Sequence, residues 1–230
     1  MKAVVVTKSG FEISEVAKPT AGPDQVLVKV RACGLNRADL GVLAGGAHGN
    51  VGGVGAIPGI EWAGEVVEVG ARVRGFKPGD RVMCSGSAGY AEYAVADQRY
   101  CFLLPEGYSD AEAAPLLCAG LIGYRALVAA GDAQRIGIYG FGAAAHIIVQ
   151  LARWQGRTVF AFTKPGDLAG QRFAKELGAT WAGDSTAAPP DEIYVGAPSS
   201  NEISRTISRL SEMQSQHYLQ LPHHSEDFPL

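Results

Sequence analysis

The chain predicts an α/β fold in two parts: a β-rich domain over residues 1–110, then part of a doubly wound parallel sheet over residues 111–200. A poorly ordered or helical tail is expected at residues 201–230. Three observations lead there. Before about Pro105 the apolar residues come in short β-branched runs broken by Gly and Pro, the pattern of strands joined by tight turns. After Tyr108 the composition becomes alanine-rich and the apolar spacing lengthens to that of a helix. From Arg135 onward strand-like and helix-like stretches alternate, as β-α-β units of a parallel sheet require.

In order, strands are expected at Ala3 to Val6, Val26 to Val30 and Gly64 to Val69. Residues 45–55 form a glycine-crowded loop containing His48, a solvated loop residue bordering the expected cleft. Lys77-Pro78-Gly79-Asp80 is a turn, because proline presets φ and glycine tolerates positive φ, and it leads into a strand from Arg81. A polar cap at Ser109-Asp110-Ala111-Glu112 opens helical sequence running to Gly131, kinked or restarted near Pro115 and Gly120. Then come strand Arg135 to Tyr139, helix Ala143 to about Gln155 and strand Thr158 to Phe162. Helix Asp167 to Leu177, capped by Asp167, and a short strand around Thr180 to Ala182 follow. Glu192 to Ala197 is a candidate fourth strand.

A chain of 230 residues that is 47% hydrophobic and 19% charged can bury one large core or two modest ones. The net charge of -3 arises from 20 basic and 23 acidic residues without a run of like charge, which disfavours nucleic acid or an anionic membrane as partner. Cys33, Cys84, Cys101 and Cys118 are widely spaced, and no basic-then-apolar leader opens the chain. A reducing, cytoplasmic setting is therefore expected. The most apolar stretch, Ala113 to Gly131, is broken by Pro115 and Arg125 and falls short of the roughly 20 residues of a membrane span.

Chemistry concentrates first at Tyr139-Gly140-Phe141-Gly142-Ala143-Ala144-Ala145, a G-x-G-x-x-A run between a predicted strand and a predicted helix. Gly140 permits the tight turn, Gly142 lets a pyrophosphate approach the backbone, and Ala145 lets the helix pack close to the strand. The helix opening at Ala143 offers unpaired N–H groups and the positive end of its dipole. The expected domain is thus a partial Rossmann domain, with Gly140, Phe141, Gly142, Ala143 and Ala145 as cofactor-binding residues. At the end of its second strand, where an NAD site would place Asp or Glu, stand Thr163 and Lys164. A hydroxyl beside a cation suits a 2′-phosphate, so NADPH is expected as the cofactor. The plainer alternative for Lys164 is a solvated loop lysine.

Several segments together resemble the medium-chain dehydrogenase/reductase superfamily. They are Arg31-Ala32-Cys33-Gly34-Leu35-Asn36-Arg37-Ala38-Asp39, Pro58-Gly59-Ile60-Glu61-Trp62-Ala63-Gly64 with the strand that continues it, and Phe76-Lys77-Pro78-Gly79-Asp80-Arg81-Val82. The resemblance spans residues 1 to about 186 and implies a GroES-like catalytic domain followed by a Rossmann domain. In the zinc-dependent alcohol dehydrogenases of that superfamily, the places of the catalytic zinc ligands correspond here to Asn36, Ile60 and Cys118. One soft ligand cannot hold a catalytic zinc, so no metal is expected. Asn36 in this place resembles the zinc-free quinone oxidoreductase branch. The sequence around residues 113–186, with Leu116-Leu117-Cys118-Ala119-Gly120, looks more like the zinc-binding alcohol dehydrogenases. Cys118 otherwise reads as a small core residue.

The resemblance implies NADPH-dependent hydride transfer to a quinone or conjugated carbonyl. Asn36 would touch nicotinamide or substrate through its amide N–H, with Arg37 and Asp39 in support. Asn36 and Asp39 also suit a simple helix-start turn. Tyr90, Glu92 and Tyr93 resemble the family's closing strand and read as structural. Only three or four of about six Rossmann strands are recognisable. Weak cofactor binding, slow or absent turnover and a weakened homodimer are expected of such a sheet. The rival readings are a zinc-type alcohol dehydrogenase relative and a catalytically impaired fragment acting as a nucleotide-binding or interaction protein.

Overall fold

A computed structural model describes residues 1–43 and 52–187. His48, most of the glycine-rich loop, the candidate strand at 192–197 and the tail at 201–230 lie outside the described residues. The chain divides into two compact units, Met1–Cys118 and Ala119–Leu230.

The first unit is built on antiparallel strands. Strand β1 (Lys2–Thr7) pairs with β2 (Gly10–Glu15). Five others are β3 (Gln25–Cys33), β4 (Glu61–Val69), β5 (Arg81–Ser85), β6 (Tyr93–Asp97) and β7 (Cys101–Leu103), and they form one sheet in the order β6-β3-β4-β5-β7. Alternation fills the core from one face: Val26 and Val28 on β3, Val82 and Cys84 on β5, and Ala94 and Ala96 on β6 gather around Trp62. The start of β4 breaks that alternation, since Glu61, Trp62, Ala63 and Gly64 are all buried. This places a carboxylate inside the unit. Between β3 and β4 runs helix α1 (Arg37–Leu43).

Residues 111–118, expected in the second domain, pack with the first. Helix α2 (Asp110–Ala113) begins at Ser109, whose hydroxyl accepts from the Glu112 N–H while the Glu112 carboxylate accepts from the Ser109 N–H. A 3₁₀ turn, Ala114–Leu116, carries Pro115 where no intrahelical donor is needed. Ala113 and Ala114 then meet Ala63 in a small core of their own, and this burial moves the boundary past residue 110. Tyr90 likewise stands outside the strand expected to hold it, because β6 begins only at Tyr93.

The second unit opens with α3 (Ala119–Ala129) and continues as β8 (Arg135–Tyr139), α4 (Ala143–Trp154), β9 (Thr158–Thr163), α5 (Leu168–Glu176) and β10 (Trp181–Asp184). The strands are parallel in the order β10-β9-β8, the first half of a Rossmann sheet. Ile136 and Ile138 of β8, Val159 and Ala161 of β9, and Ile148, Val149 and Ala152 of α4 form the core. Among the described residues no single helix is long and apolar enough to cross a membrane, and the Asp110–Ala129 stretch reaches that length only as two segments.

Candidate functional site

In the first unit the candidate residues converge on two buried carboxylates. Asp39, 3% exposed, sits in the first turn of α1. Its Oδ2 accepts from the Asn36 backbone N–H at 2.9 Å and from the Tyr90 hydroxyl at 2.8 Å. Its Oδ1 accepts from the Gly59 N–H at 2.9 Å. Asp39 thus ties the start of α1 to two distant loops, and Arg37, exposed on the same helix, is not among its partners.

Glu61, 1% exposed, lies alongside. Its Oε1 accepts from Asn36 Nδ2 at 2.8 Å and its Oε2 from the Cys118 backbone N–H at 2.7 Å. The Gly34 N–H and the Cys33 thiol both donate to the Glu61 carbonyl, at 3.1 and 3.0 Å. Gly34 must be glycine here, since a Cβ would collide with the Glu61 carboxylate. Burial pushes the Glu61 carboxyl above the usual carboxylate range, and the nearby Asp39 adds to that. The hydrogen bonds from Asn36 and from the Cys118 and Leu117 backbones pull the other way. Burial, then Asp39 and Glu61, push the Cys33 thiol up to about 12. The Tyr90 phenol is raised by burial and by its bond to Asp39.

Sequence reasoning passed over Glu61 and the hydroxyl role of Tyr90. The available signal for Glu61 was a carboxylate opening the otherwise apolar run Trp62-Ala63-Gly64. For Tyr90 there was none, because its bond to Asp39 joins residues 51 positions apart.

In the second unit the glycine corner is open. Gly140 has φ +82°, which favours glycine, and its N–H donates to the Phe162 carbonyl at 2.8 Å. Gly142 is different: φ -104° and ψ -167° suit any residue, and a Cβ there would meet nothing within 4 Å. Neither backbone nor packing asks for glycine at 142, and the space in front of it is open. Gly142 caps α4 without a side-chain bond, leaving the first-turn N–H groups around Ala143 to an incoming anion. Ala145 is buried in the core, and the Phe141 ring packs 5.0 Å from His146.

Thr163 and Lys164 part company. The Thr163 hydroxyl is buried, accepts from Gln171 Nε2 at 3.1 Å, and lies 3.3 Å from the Lys164 and Gly183 carbonyls. Gln171 also donates to Asp184 Oδ1 at 2.7 Å, and that oxygen accepts from the Gly166 N–H at 3.2 Å. Thr163 therefore braces the loop after β9, while Lys164 is exposed.

The second unit offers what a nicotinamide dinucleotide needs: an open corner at Gly142, with room for a pyrophosphate at the start of α4. Catalytic zinc does not fit the first. Ile60 has no donor atom, the Asn36 amide nitrogen is spent on Glu61, and the described residues contain no cluster of three His, Cys, Asp or Glu side chains.

An antiparallel sheet with a buried polar knot, followed by parallel strands with a phosphate corner, defines the class of two-domain nicotinamide-type dehydrogenases and reductases. Residues 22–106 match the alcohol dehydrogenase GroES-like domain family. The chain is similar to the probable alcohol dehydrogenase AdhA of Mycobacterium tuberculosis, 37% identical over 208 residues, covering 75% of this chain and 59% of that protein. An alcohol dehydrogenase of Geobacillus stearothermophilus is 35% identical over 215 residues, covering 78% of this chain and 62% of its own length. Among solved structures, the quinone oxidoreductase of Coxiella burnetii superposes with a TM-score of 0.71 at 27% identity, covering 86% of this chain and 65% of that one. The chain belongs to the medium-chain dehydrogenase/reductase superfamily and spans about 60% of the length of the curated relatives it matches.

Proposed function

We propose that the chain carries the catalytic domain and the phosphate-binding half of an NADPH-dependent oxidoreductase that reduces a quinone or conjugated carbonyl without a metal. The observation that carries this reading is the pairing of Asn36 with Glu61 where the zinc-dependent relatives place a metal ligand. NADPH, when bound, supplies the hydride. The chain's own residues do the rest. The corner at Gly140, Phe141, Gly142, Ala143 and Ala145 receives the pyrophosphate on backbone N–H groups, and Lys164 is the cation for a 2′-phosphate. Asn36 is the polar group for the acceptor, Asp39 holds its backbone, and Arg37 supplies nearby positive charge. A homodimer and a cytoplasmic setting belong to the same reading.

The test is a titration of NADPH fluorescence with the protein, with and without a simple benzoquinone. Saturable binding, weaker for NADH, and consumption of NADPH on adding the quinone are expected. Binding with no turnover would favour a nucleotide-binding protein without the chemistry, and no binding would remove the reading. A zinc-type alcohol dehydrogenase is the second reading, favoured by the alcohol dehydrogenases among the relatives. Stoichiometric zinc in the purified protein would support it.

A further inference from the structure

Asn36 Nδ2 donates to Glu61 Oε1 at 2.8 Å and lies 3.4 Å from the Gly34 carbonyl oxygen. The Gly34 carbonyl and an ionised Glu61 both accept only, so nitrogen and not oxygen faces them, and the two amide hydrogens are committed. Asn36 Oδ1 receives no hydrogen bond from any described residue. The open end of this amide is an acceptor, the reverse of the donor that a carbonyl substrate needs.

We propose that Glu61 is the positioning residue that decides which end of the Asn36 amide is available: its carboxylate takes the N–H and leaves Oδ1 open, whereas a neutral group in its place turns the amide over and frees the N–H. The reversal follows from where a neutral group places its hydrogen. With Glu61 Oε2 anchored by the Cys118 N–H at 2.7 Å, a hydrogen on Oε1 faces Asn36, whose oxygen and not its nitrogen can take it, and the 3.4 Å contact with the Gly34 carbonyl is given up. The open Oδ1 suits an alcohol hydroxyl or a carboxamide N–H. A freed N–H suits a carbonyl or quinone oxygen on which negative charge grows during hydride transfer.

Among the described residues the titratable groups around Glu61 are Asp39 on α1, Cys33 on β3 and Cys118, whose backbone N–H it accepts, with Tyr90 bonded to Asp39. None of them supplies a positive charge to hold Glu61 ionised, and burial favours its neutral form. The link between Glu61 and the amide stands on geometry alone. Its use in turnover rests on the reading that Asn36 meets the acceptor.

The experiment separates the two. The chain has three asparagines, Asn36, Asn50 and Asn201, so protein labelled with ¹⁵N only in asparagine gives three side-chain amide signals, and Asn36→Ala assigns the one of interest. In the unaltered protein at alkaline pH the Asn36 amide protons are expected downfield, from donation to a carboxylate. They move upfield as Glu61, carrying a ¹³C-labelled carboxyl, takes up its proton. Glu61→Gln imitates the neutral form, because its NH₂ donates to Asn36 Oδ1 while its carbonyl keeps the Cys118 N–H. Its Asn36 signal is expected at the low-pH position of the unaltered protein, independent of pH. An Asn36 signal that ignores the titration of Glu61, or that stays at the alkaline position in Glu61→Gln, overturns the proposal. Single-turnover hydride transfer from NADPH to benzoquinone is read in parallel. An unchanged rate in Asn36→Ala would remove Asn36 from the acceptor site while leaving the coupling of Glu61 to the amide intact.

Discussion

Replacing Asp39 by alanine is expected to be among the most damaging single changes in the first unit. Its carboxylate accepts from the Asn36 N–H, the Gly59 N–H and the Tyr90 hydroxyl, each within 2.9 Å, at a position 3% exposed. A hydrogen bond to a charged acceptor contributes roughly 1.5–3 kcal/mol, and the donors left behind are partly or wholly shielded from water. Three such losses, softened by local relaxation, amount to about 4 kcal/mol, at the severe end of single substitutions. With a urea slope of about 2 kcal/mol per molar, the unfolding midpoint falls by roughly 2 M. Tyr90→Phe removes one of the three bonds and is expected to cost about 1.5 kcal/mol. Asp39→Asn, which keeps the shape but offers a single acceptor oxygen, falls between the two. The assay is urea unfolding followed by tryptophan fluorescence, with Trp62, fully buried in the same unit, as the reporter. A loss below about 1 kcal/mol for Asp39→Ala would refute the view that this carboxylate knots the unit together.

Three further outcomes are expected. Gly142→Val should cost no more than about 1 kcal/mol, the loss of glycine at the N-cap of α4, since the added side chain meets open space at an ordinary φ, yet weaken NADPH binding at least tenfold; equal affinity by fluorescence titration would mean that no pyrophosphate sits there. Lys164→Ala should weaken NADPH by roughly tenfold, about 1.4 kcal/mol, and leave NADH unchanged, as paired dissociation constants would show. Cys33, with its thiol pushed up to about 12, should resist iodoacetamide in the folded protein near pH 8.5 and react readily in urea, read by mass spectrometry. Because its folded pKa lies above the unfolded one, the stability it contributes is complete below about pH 8.5 and is lost as pH climbs towards 12.

The second unit was the more legible in the sequence. Arg135–Tyr139, the helix from Ala143 and the Asp167 cap of α5 all emerge from local signals: a β-branched run, 3.6-residue spacing, a polar cap. The glycine corner is legible for the same reason, since its chemistry depends on backbone and neighbours a few residues away. In the first unit β2 escaped notice because its side chains are mostly exposed and polar, and its register comes from main-chain pairing with β1.

By itself the sequence determined the two-part architecture and the glycine turn at Gly140 between a strand and a helix, because residue type and short spacing decide both. It also brought Asn36 and Asp39 to attention. Which atoms of those residues are free was decided only by tertiary structure. Glu61 lies 25 positions from Asn36 and 57 from Cys118, and its carboxylate can take one amide hydrogen, while the Gly34 carbonyl faces the other, only after β4 has carried it into the interior beside them. Hydrogen-bond direction at a buried site depends on partners brought together by the fold, and no local pattern in the chain encodes it.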